Sequence, residues 1–461
     1  MNLEQLLGPA SIDTIEVGLV GAGEFGRTLL SQSRRVPGLS ARVVCDRDVE
    51  RAVRAFVDIG FAEDDVRVCD SRSAAMIEFE AGGAVVVPDA HLMLEMPVDI
   101  VVEATGHPES GAELAVASLD AGKHFVMATK EAESVVGPLL AHRARAAGLV
   151  YTPPDGDQPS LLIGLVAWSR LLGFEIVAAG KASEYDFVFD PVSATITAQG
   201  RSRAAPEFAA LWQGPPDAVK RTSEARGSVL TDFWQRTAPD LCEMTIVANA
   251  TGLLPDEEIL HAPVARPLEL PDLFAARGGG GLLDREGALD IFNCLRRPDE
   301  MSFAGGVFVV ARSPDPATGE LFREKGIPVS ADGRRFLISN PVHLLGAEAP
   351  MSVLSACRAG RSTGGDDIRP RIDLTGRTSA PIPAGTAFAL GWRHAIDSVD
   401  ALMTPARPLG PDAPVPYYLL PDATARRDIP AGTVITGEMI GPPGGSTLWR
   451  LRAEQDRLFL S

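Results

Sequence analysis

The sequence has 461 residues, a length that exceeds one compact domain and is typical of two or three. Apolar residues make up 45% and charged residues 23%, which is the composition of a folded globular chain rather than a disordered one. The formal net charge of −18 argues against nucleic acid and anionic membrane surfaces as partners, because both carry negative charge themselves.

The first 150 residues alternate short apolar strands with helices. The pattern predicts strands over 14–20, 41–46, 98–106 and 123–130, and helices over 50–59 and 111–122. Strands separated by helices of this length form a parallel sheet with right-handed crossovers. We therefore predict a Rossmann-type α/β domain over residues 1–155.

The central region, residues 156–375, is less regular. Its apolar spacing predicts helices over 206–212 and 284–297, and strands over 244–250 and 305–311. Four consecutive glycines at 278–281 indicate a turn or loop. We interpret this region as an α/β domain for substrate binding and oligomer contacts.

The C-terminal region repeats one pentapeptide. Ile-Pro-Ala-Gly-Thr occurs at 382–386 and again at 429–433. Proline fixes φ and glycine permits a turn, so each copy should make a tight corner between short strands. We predict a small all-β module over 376–461 that makes packing and oligomer contacts and carries no redox residue.

Cysteine usage and apolar runs bear on the compartment. The five cysteines are scattered and include no CxxC pair, which disfavours a zinc site or a disulfide framework. The N-terminal segment lacks a basic stretch ahead of an apolar run, and the longest apolar stretch, 161–180, contains Arg170 and Glu175. We read that stretch as a buried helix, ended near Gly173, followed by a strand, and we expect a cytoplasmic protein.

A glycine-rich turn follows the first predicted strand. Gly21, Gly23 and Gly26 stand in Gly-Ala-Gly-Glu-Phe-Gly, immediately before a predicted helix. In dinucleotide-binding folds such glycines make a tight turn, admit a pyrophosphate and let helix and strand pack closely. The phosphates are then bound by the helix N-terminus, so Glu24 and Phe25 of the same turn are predicted to lie at the cofactor.

The choice of dinucleotide stays open on the residues alone. Asp46 ends the second strand 20 residues after Gly26, where a carboxylate could bind the adenosine ribose of NAD. Arg47 and Arg27 could instead form a cationic clamp for the 2′-phosphate of NADP.

Three stretches of the N-terminal third resemble the homoserine dehydrogenase superfamily, namely GLVGAGEFG (18–26), DIVVEATG (99–106) and GKHFVMATKE (122–131). The whole chain is more closely similar to homoserine-dehydrogenase-like oxidoreductases with a C-terminal SAF-type β-clip module, among them the type II, reductoisomerase-like 1-deoxy-D-xylulose 5-phosphate reductoisomerases. The stretches that carry this similarity are GKASEYDFVFDP (180–191), EMTIVANATGLLPD (243–256) and the two pentapeptides.

The resemblance implies further properties of the chain. It implies NADPH as cofactor, with Mg²⁺ or Mn²⁺ in the reductoisomerases, a substrate held between the first two domains, and a homo-oligomer, dimer or tetramer. It also places Ala104, Thr105 and Gly106 at the cofactor. One segment departs from the pattern, because TDFWQRTAPDLCEM (231–244) stands where the reductoisomerases carry an Asp-Gly-Thr-Lys-like sequence.

Two lysines are the candidate catalytic cations. Lys130 follows a Rossmann strand at the sheet edge where ligands bind, and an ammonium there can polarise a carbonyl. Lys181 and Glu184 lie after an apolar run and are followed by Asp186 and Asp190. This second group could activate a hydroxyl or bind a divalent cation, or it could be a solvated loop with ordinary ion pairs.

Four further residues are candidate substrate ligands. Glu243 precedes the predicted strand over 244–250 and Asn249 lies near its end, and Asp155 and Asp157 link the first domain to the second. Asp155 also begins an Asp-Gly pair, which is a common turn sequence. The seven histidines show no metal-ligand spacing.

The sequence thus predicts an NAD(P)-dependent oxidoreductase acting on a small polyol, sugar-acid or sugar-phosphate-like carbonyl. Reductoisomerase chemistry is its most specific form. The alternatives are a plain dehydrogenase without rearrangement and a non-catalytic nucleotide-binding regulator. Fold-level analogy alone does not decide among these functions.

Overall fold

Seven parallel strands form the N-terminal sheet in the computed structural model, which describes residues 2–8, 14–215 and 218–461. The strands are β1 (Ile15–Val20), β2 (Leu39–Cys45), β3 (Val66–Val68), β4 (Ala84–Val87), β5 (Ile100–Glu103), β6 (His124–Met127) and β7 (Tyr151–Thr152). The helices are α1 (Leu3–Leu7), α2 (Glu24–Ser33), α3 (Val49–Asp58), α4 (Arg72–Glu80), α5 (Ala90–Leu94), α6 (Pro108–Asp120) and α7 (Lys130–Ala146). The strand order β3-β4-β2-β1-β5-β6-β7 confirms the predicted parallel α/β sheet.

A mixed sheet forms the centre of the second region. Its strands are β8 (Ile176–Ala182), β9 (Phe187–Asp190), β10 (Thr195–Ala198), β11 (Arg201–Ala204), β12 (Leu254–Pro255), β13 (Val264–Ala265), β14 (Ala288–Arg296), β15 (Val307–Arg312) and β16 (Arg335–Asn340). They lie in the order β11-β10-β9-β14-β8-β15-β16, and β12 and β13 pair with β14. The helices are α8 (Gln158–Leu171), α9 (Phe208–Leu211), α10 (Val219–Val229), α11 (Ala238–Thr251), α12 (Leu270–Leu273), α13 (Pro316–Glu324) and α14 (Pro350–Leu354).

Two predicted elements of this region are wrong. The expected strand over 244–250 lies within α11, and the expected helix over 284–297 contains strand β14. Residues 244–249 of α11 and nearly all of strand β14 are buried, so neither shows the one-sided apolar spacing that separates a helix from a strand. The helix α11 also has a capping box between Thr237 and Asp240 and ends at Gly252 in the left-handed conformation.

The C-terminal region has two small antiparallel pairs and a final helix. β17 (Ile372–Thr378) pairs with β18 (Val399–Pro405), β19 (Thr424–Ala425) pairs with β20 (Ile440–Gly441), and α15 (Thr447–Phe459) follows. The two pentapeptides turn at Gly385 and Gly432, both with positive φ, and pair with each other through Ile382 and Ile429. The tight turns are as predicted, but the prediction of an entirely β module requires correction, because the last element is a helix.

Helix α15 is held against helix α7 and strand β17 by buried polar side chains. Arg452 is fully buried and bonds to Asp373 of β17 and to Asp456 one turn along its own helix. Gln455 inserts its amide beside Pro138, the proline inside α7, where it accepts from Leu139 N–H and donates to Val135 C=O. These bonds satisfy backbone groups that a proline leaves open in a helix.

The structure also describes the lengths of the apolar helices and the state of the cysteines. Within the ranges that the structure describes, no helix is long and apolar enough to cross a membrane. The five cysteines are free, and Cys45, Cys69, Cys242 and Cys294 are buried.

Glu133, buried in α7, is a site of pH-dependent stability. Its carboxylate accepts from the Tyr151 hydroxyl, and burial raises its pKa from an ordinary 4.5 to about 7. Between these pH values the folded state holds a proton that the unfolded state has lost, so stability should fall as the pH rises.

We expect Glu133→Gln to match the wild type near pH 5 and to exceed its free energy of unfolding by up to about 3 kcal/mol near pH 8, at about 1.4 kcal/mol per pKa unit. Urea unfolding of both proteins across this range measures the difference. A constant difference at all pH values would contradict the assignment.

Candidate functional site

The glycine-rich turn has the geometry of a dinucleotide site. Gly21 has φ +98, and a Cβ there would lie 2.5 Å from Ala104 O, while a Cβ on Gly26 would lie 2.1 Å from Gly21 O. A Cβ on Gly23 would meet nothing within 4 Å, so this residue faces open space at the first turn of α2. The turn therefore leaves room for a pyrophosphate at the N-terminus of α2, and its binding there stays a prediction.

A cleft of about 690 Å³ extends from this turn. Of the predicted cofactor residues, it is lined by Gly21, Gly23, Asp46, Arg47, Ala104 and Thr105. The others border it in sequence: Glu24 and Phe25 lie in the first turn of α2 after Gly23, and Gly106 follows Thr105. Thr447 and Arg450 of α15 also line the cleft, and sequence reasoning missed both because the helix was not predicted.

Asp46 is already bonded to its own chain. Its carboxylate accepts from Ala22 N–H at 2.8 Å, from Asp48 N–H at 2.9 Å and from Arg51 Nη2 at 2.9 Å. Burial opposes its ionisation, but these donors together lower its pKa below the ordinary value. Asp46 therefore holds the glycine-rich turn in place, and Arg51 balances its charge.

Two threonines connect the cofactor turn after β5 to the start of α7. Thr105 N–H donates to Glu103 Oε1 at 2.7 Å, and Thr129 Oγ1 donates to the same oxygen at 2.9 Å. Gly106 N–H in turn donates to Thr129 Oγ1 at 2.9 Å. Since Lys130 follows Thr129, this network sets the position of the lysine relative to the cofactor cleft.

Lys130 and Lys181 share one carboxylate. Lys130 Nζ lies 2.6 Å from Glu243 Oε1 and 3.0 Å from Asp157 Oδ1. Lys181 Nζ contacts the other oxygen, Glu243 Oε2, and lies 2.9 Å from Asp240 Oδ1. Lys181 and Glu243 are almost fully buried, whereas 27% of the Lys130 side chain is exposed. We call these five residues the lysine network.

Glu243 and the two lysines of the network keep their charges near neutral pH. Burial opposes the ionisation of Glu243, but Lys130 and Lys181 lower its pKa to about 2. Burial likewise disfavours the Lys130 ammonium, but Asp157 and Glu243 raise its pKa well above the ordinary value. Lys130 is therefore a fixed positive charge at the site rather than a free base.

The structure brings together four of the predicted site residues, Lys130, Lys181, Asp157 and Glu243, from α7, β8, the start of α8 and α11. Glu184 lies beside them, where it accepts from Gln158 Nε2 at 2.8 Å. The fifth member of the network, Asp240, was missed, although a Thr three residues before an Asp is typical of a helix start.

Four other predicted residues, namely Asn249, Asp155, Asp186 and Asp190, do not join the network. Asn249 donates to Ile372 C=O and accepts from the Arg371 and Ile372 N–H groups, which ties α11 to β17. It stands six residues after Glu243, and at about 100° per residue it points to another side of the helix. The prediction that Asn249 points into the same cleft as Glu243 is therefore wrong.

The remaining carboxylates bind groups outside the lysine network. Asp155 accepts from Gly156 N–H and from Ser160, and burial raises its pKa. In the predicted charged group after β8, Asp186 pairs with Arg296, and Asp190 accepts from a neighbouring turn. That group is thus dispersed rather than clustered.

A divalent cation does not fit the residues as they are arranged. No group of three or more His, Cys, Asp or Glu side chains that could hold a metal ion is found in the described ranges. Asp157 and Glu243, the carboxylates nearest the cleft, are neutralised by lysines. The Mg²⁺ or Mn²⁺ expected from the resemblance has no donor set here.

Two family models match consecutive parts of the chain. Residues 18–153 match the homoserine dehydrogenase NAD-binding domain, and residues 156–349 match the catalytic domain of oxidoreductase DRL. These matches give the chain the domain composition of an NAD(P)-dependent oxidoreductase. Its first domain is of the homoserine dehydrogenase type and its second is of the DRL type, which confirms the resemblance to homoserine-dehydrogenase-like oxidoreductases.

Individual relatives are similar over part of the chain. A 1-deoxy-D-xylulose 5-phosphate reductoisomerase of Anaeromyxobacter dehalogenans is 30% identical over 162 residues, which make up 34% of this chain and 35% of that protein. The chain thus matches about a third of that relative's length.

Solved structures show weaker similarity. An oxidoreductase domain protein from Kribbella flavida is 23% identical, covering 39% of this chain and 44% of that one, with a TM-score of 0.28. A myo-inositol dehydrogenase from Lactobacillus casei is 16% identical, covering 39% and 48%, with a TM-score of 0.29.

Proposed function

We propose that the chain is an NADPH-dependent reductase of a small sugar-derived carbonyl compound, in which Lys130 polarises the carbonyl. The observation that carries this proposal is the lysine network beside the dinucleotide cleft. An ammonium has three N–H donors, and Asp157 and Glu243 take two of those of Lys130. The third donor and the partly exposed side chain remain for a ligand.

The lysine network places the Lys130 ammonium where it can stabilise charge on a substrate's carbonyl oxygen. When bound, the cofactor supplies hydride to the carbonyl carbon, and negative charge then develops on the carbonyl oxygen. Lys130 stabilises that charge more in the transition state than in the ground state. Asp157 and Glu243 hold its ammonium in place, and Lys181 acts through Glu243 as a positioning residue by balancing its charge.

The choice of NADPH rests on the arginines at the cleft. Arg47 is exposed there, and Arg51 pairs with Asp46, so the carboxylate that would repel a 2′-phosphate is neutralised. Two guanidinium groups at this position suit a phosphate better than a ribose hydroxyl.

Reductoisomerase chemistry is the second candidate, favoured by the partial identity with the Anaeromyxobacter dehalogenans reductoisomerase. In that case a ketose phosphate would rearrange its carbon skeleton before reduction. Among the residues that the structure describes, the carboxylates nearest the cleft pair with lysines and are not grouped as metal ligands, which favours the simple reduction. We also propose that the protein is cytoplasmic and forms a homo-oligomer. Light scattering on the purified chain tests the oligomeric state.

Screening the purified chain with NADPH and NADH tests the function. Polyols, sugar acids and ketose phosphates are each incubated with the appropriate redox form, and the change in reduced nicotinamide absorbance is followed. We expect turnover with NADPH and a carbonyl from this panel, and binding of NADPH at least about tenfold tighter than NADH, a difference of about 1.4 kcal/mol.

Product analysis separates the two candidate functions, since a rearranged carbon skeleton would identify the reductoisomerase. Cofactor binding without turnover on the whole panel would instead support a nucleotide-binding regulator. Arg47→Ala should reduce the preference for NADPH over NADH and leave NADH binding unchanged.

A further inference from the structure

A loop of the C-terminal module reaches the lysine network. This loop, Trp392–His394, holds two consecutive residues in the left-handed region, Arg393 at φ 54 and His394 at φ 57. Residues other than glycine adopt this conformation only where their surroundings enforce it, and such positions cluster at functional sites. Two contacts hold the loop in place. The ring centroids of Trp392 and Trp234 lie 5.2 Å apart, and Cζ of Arg393 lies 4.6 Å from the centroid of the Tyr185 ring.

His394 lies between the helix of Lys130 and the cofactor turn. Its Nδ1 is 2.8 Å from Oε1 of Glu131, the residue after Lys130. On the other side, a Cβ placed on Gly106 would lie 3.1 Å from His394 Cε1. Gly106 follows Thr105, which lines the dinucleotide cleft. The imidazole thus borders both the charged site and the place where the cofactor binds.

One ring nitrogen of His394 is free to act. The Glu131 carboxylate forms an ion-pair contact with Nδ1 at 2.8 Å, and among the described residues no side chain or backbone group forms a hydrogen bond with Nε2. A carboxylate that fixes one nitrogen and leaves the other toward the site is the arrangement by which histidines transfer protons in enzymes.

We propose that His394 donates the proton taken up by the carbonyl oxygen during reduction. This rests on the proposed function. The hydride from the reduced nicotinamide forms the new C–H bond, and the electron pair of the C=O π bond moves to oxygen. That oxygen takes the proton from His394 Nε2, whose N–H bond breaks. The neutral imidazole keeps Nδ1–H toward Glu131 and regains its proton from water.

The charged neighbours of Lys130 and His394 explain why the lysine polarises the carbonyl and the histidine donates the proton. Asp157 and Glu243 hold the Lys130 proton and raise its pKa well above the ordinary value, so Lys130 polarises without releasing a proton. The charged groups that act on His394 are Glu131, whose bond raises the histidine pKa, and Lys130, which lowers it, while burial also lowers it. The balance is a pKa above the ordinary 6.5.

His394→Asn is the test variant, because asparagine tolerates the left-handed backbone. We expect kcat to fall about 10²-fold, the usual contribution of a positioned acid, with NADPH affinity within about threefold of wild type. The wild-type decline of kcat/KM as the pH rises through the His394 pKa should disappear in the variant. His142→Gln, outside the cleft, is the control. It should leave kcat, NADPH affinity and the pH profile of kcat/KM unchanged.

The outcomes separate this inference from the proposed function. If the wild type turns over no carbonyl with NADPH, the proposed function fails. If the wild type is active and Lys130→Ala is inactive, but His394→Asn keeps normal kcat and the wild-type pH profile, the role of His394 alone is overturned.

A readout without turnover comes from the imidazole itself. In NMR spectra assigned by comparison with His394→Asn, the Cε1 proton of His394 should shift when NADPH is added, and Glu131→Gln should lower the histidine pKa. A His394 signal that responds to neither change would also overturn the proposal.

Discussion

Lys130→Ala should abolish most turnover while leaving NADPH affinity within a few-fold of wild type. The lysine is the first residue of α7 and lies beside the cofactor turn but outside the glycine-rich phosphate site, so we expect the variant to lose chemistry and not cofactor binding. Loss of one charge that stabilises a developing oxyanion costs about 10²–10³ in turnover. Glu243 keeps Lys181 as its partner in the variant, so the fold should survive.

Lys130→Arg should recover little of the lost rate. A planar guanidinium cannot place its charge where the ammonium lies, between Asp157 Oδ1 and Glu243 Oε1. Steady-state turnover, cofactor titration and a thermal melt on the three proteins measure the effect. If both variants kept near-normal turnover, Lys130 would be a structural ion-pair partner, and catalysis would have to be sought at Glu184 or Lys181.

Gly23→Asp should abolish dinucleotide binding without unfolding the protein. A Cβ on Gly23 meets no atom within 4 Å, so the added carboxylate would occupy the open space that a pyrophosphate needs. Its charge would also repel the phosphates. Fluorescence titration should show NADPH affinity reduced at least about 100-fold, which is about 2.7 kcal/mol.

Gly26→Ala is the matched comparison within the same turn. There a Cβ would lie 2.1 Å from the backbone oxygen of Gly21, so the expected loss is in stability rather than in direct contact with the cofactor. Melting temperatures of the two variants distinguish the effects. Equal NADPH affinity in wild type and Gly23→Asp would refute the cofactor assignment.

The contribution of the C-terminal module differs from the one expected. Residues 376–461 were predicted to make packing and oligomer contacts only, because neither pentapeptide carries a redox residue. The structure places His394 next to Glu131, and Thr447 and Arg450 along the cofactor cleft. These residues lie outside the pentapeptides, in a loop and a helix that were not predicted from the sequence.

What the sequence determined by itself is local. The glycine-rich turn and the strands of the first sheet follow from neighbouring residues, because a glycine with positive φ and an apolar run before a helix are properties of short segments. Lys130 could be found for the same reason, since the edge of a parallel sheet is set by strand ends.

Only the tertiary structure decided the rest. Residues 244–249 of α11 and nearly all of strand β14 are buried, so their apolar residues show no period from which helix or strand could be chosen. The lysine network joins α7, β8, α8 and α11, whose residues are more than 100 positions apart between Lys130 and Glu243. Such pairings depend on how buried elements pack, and charges buried together must be balanced by partners that no local pattern reveals.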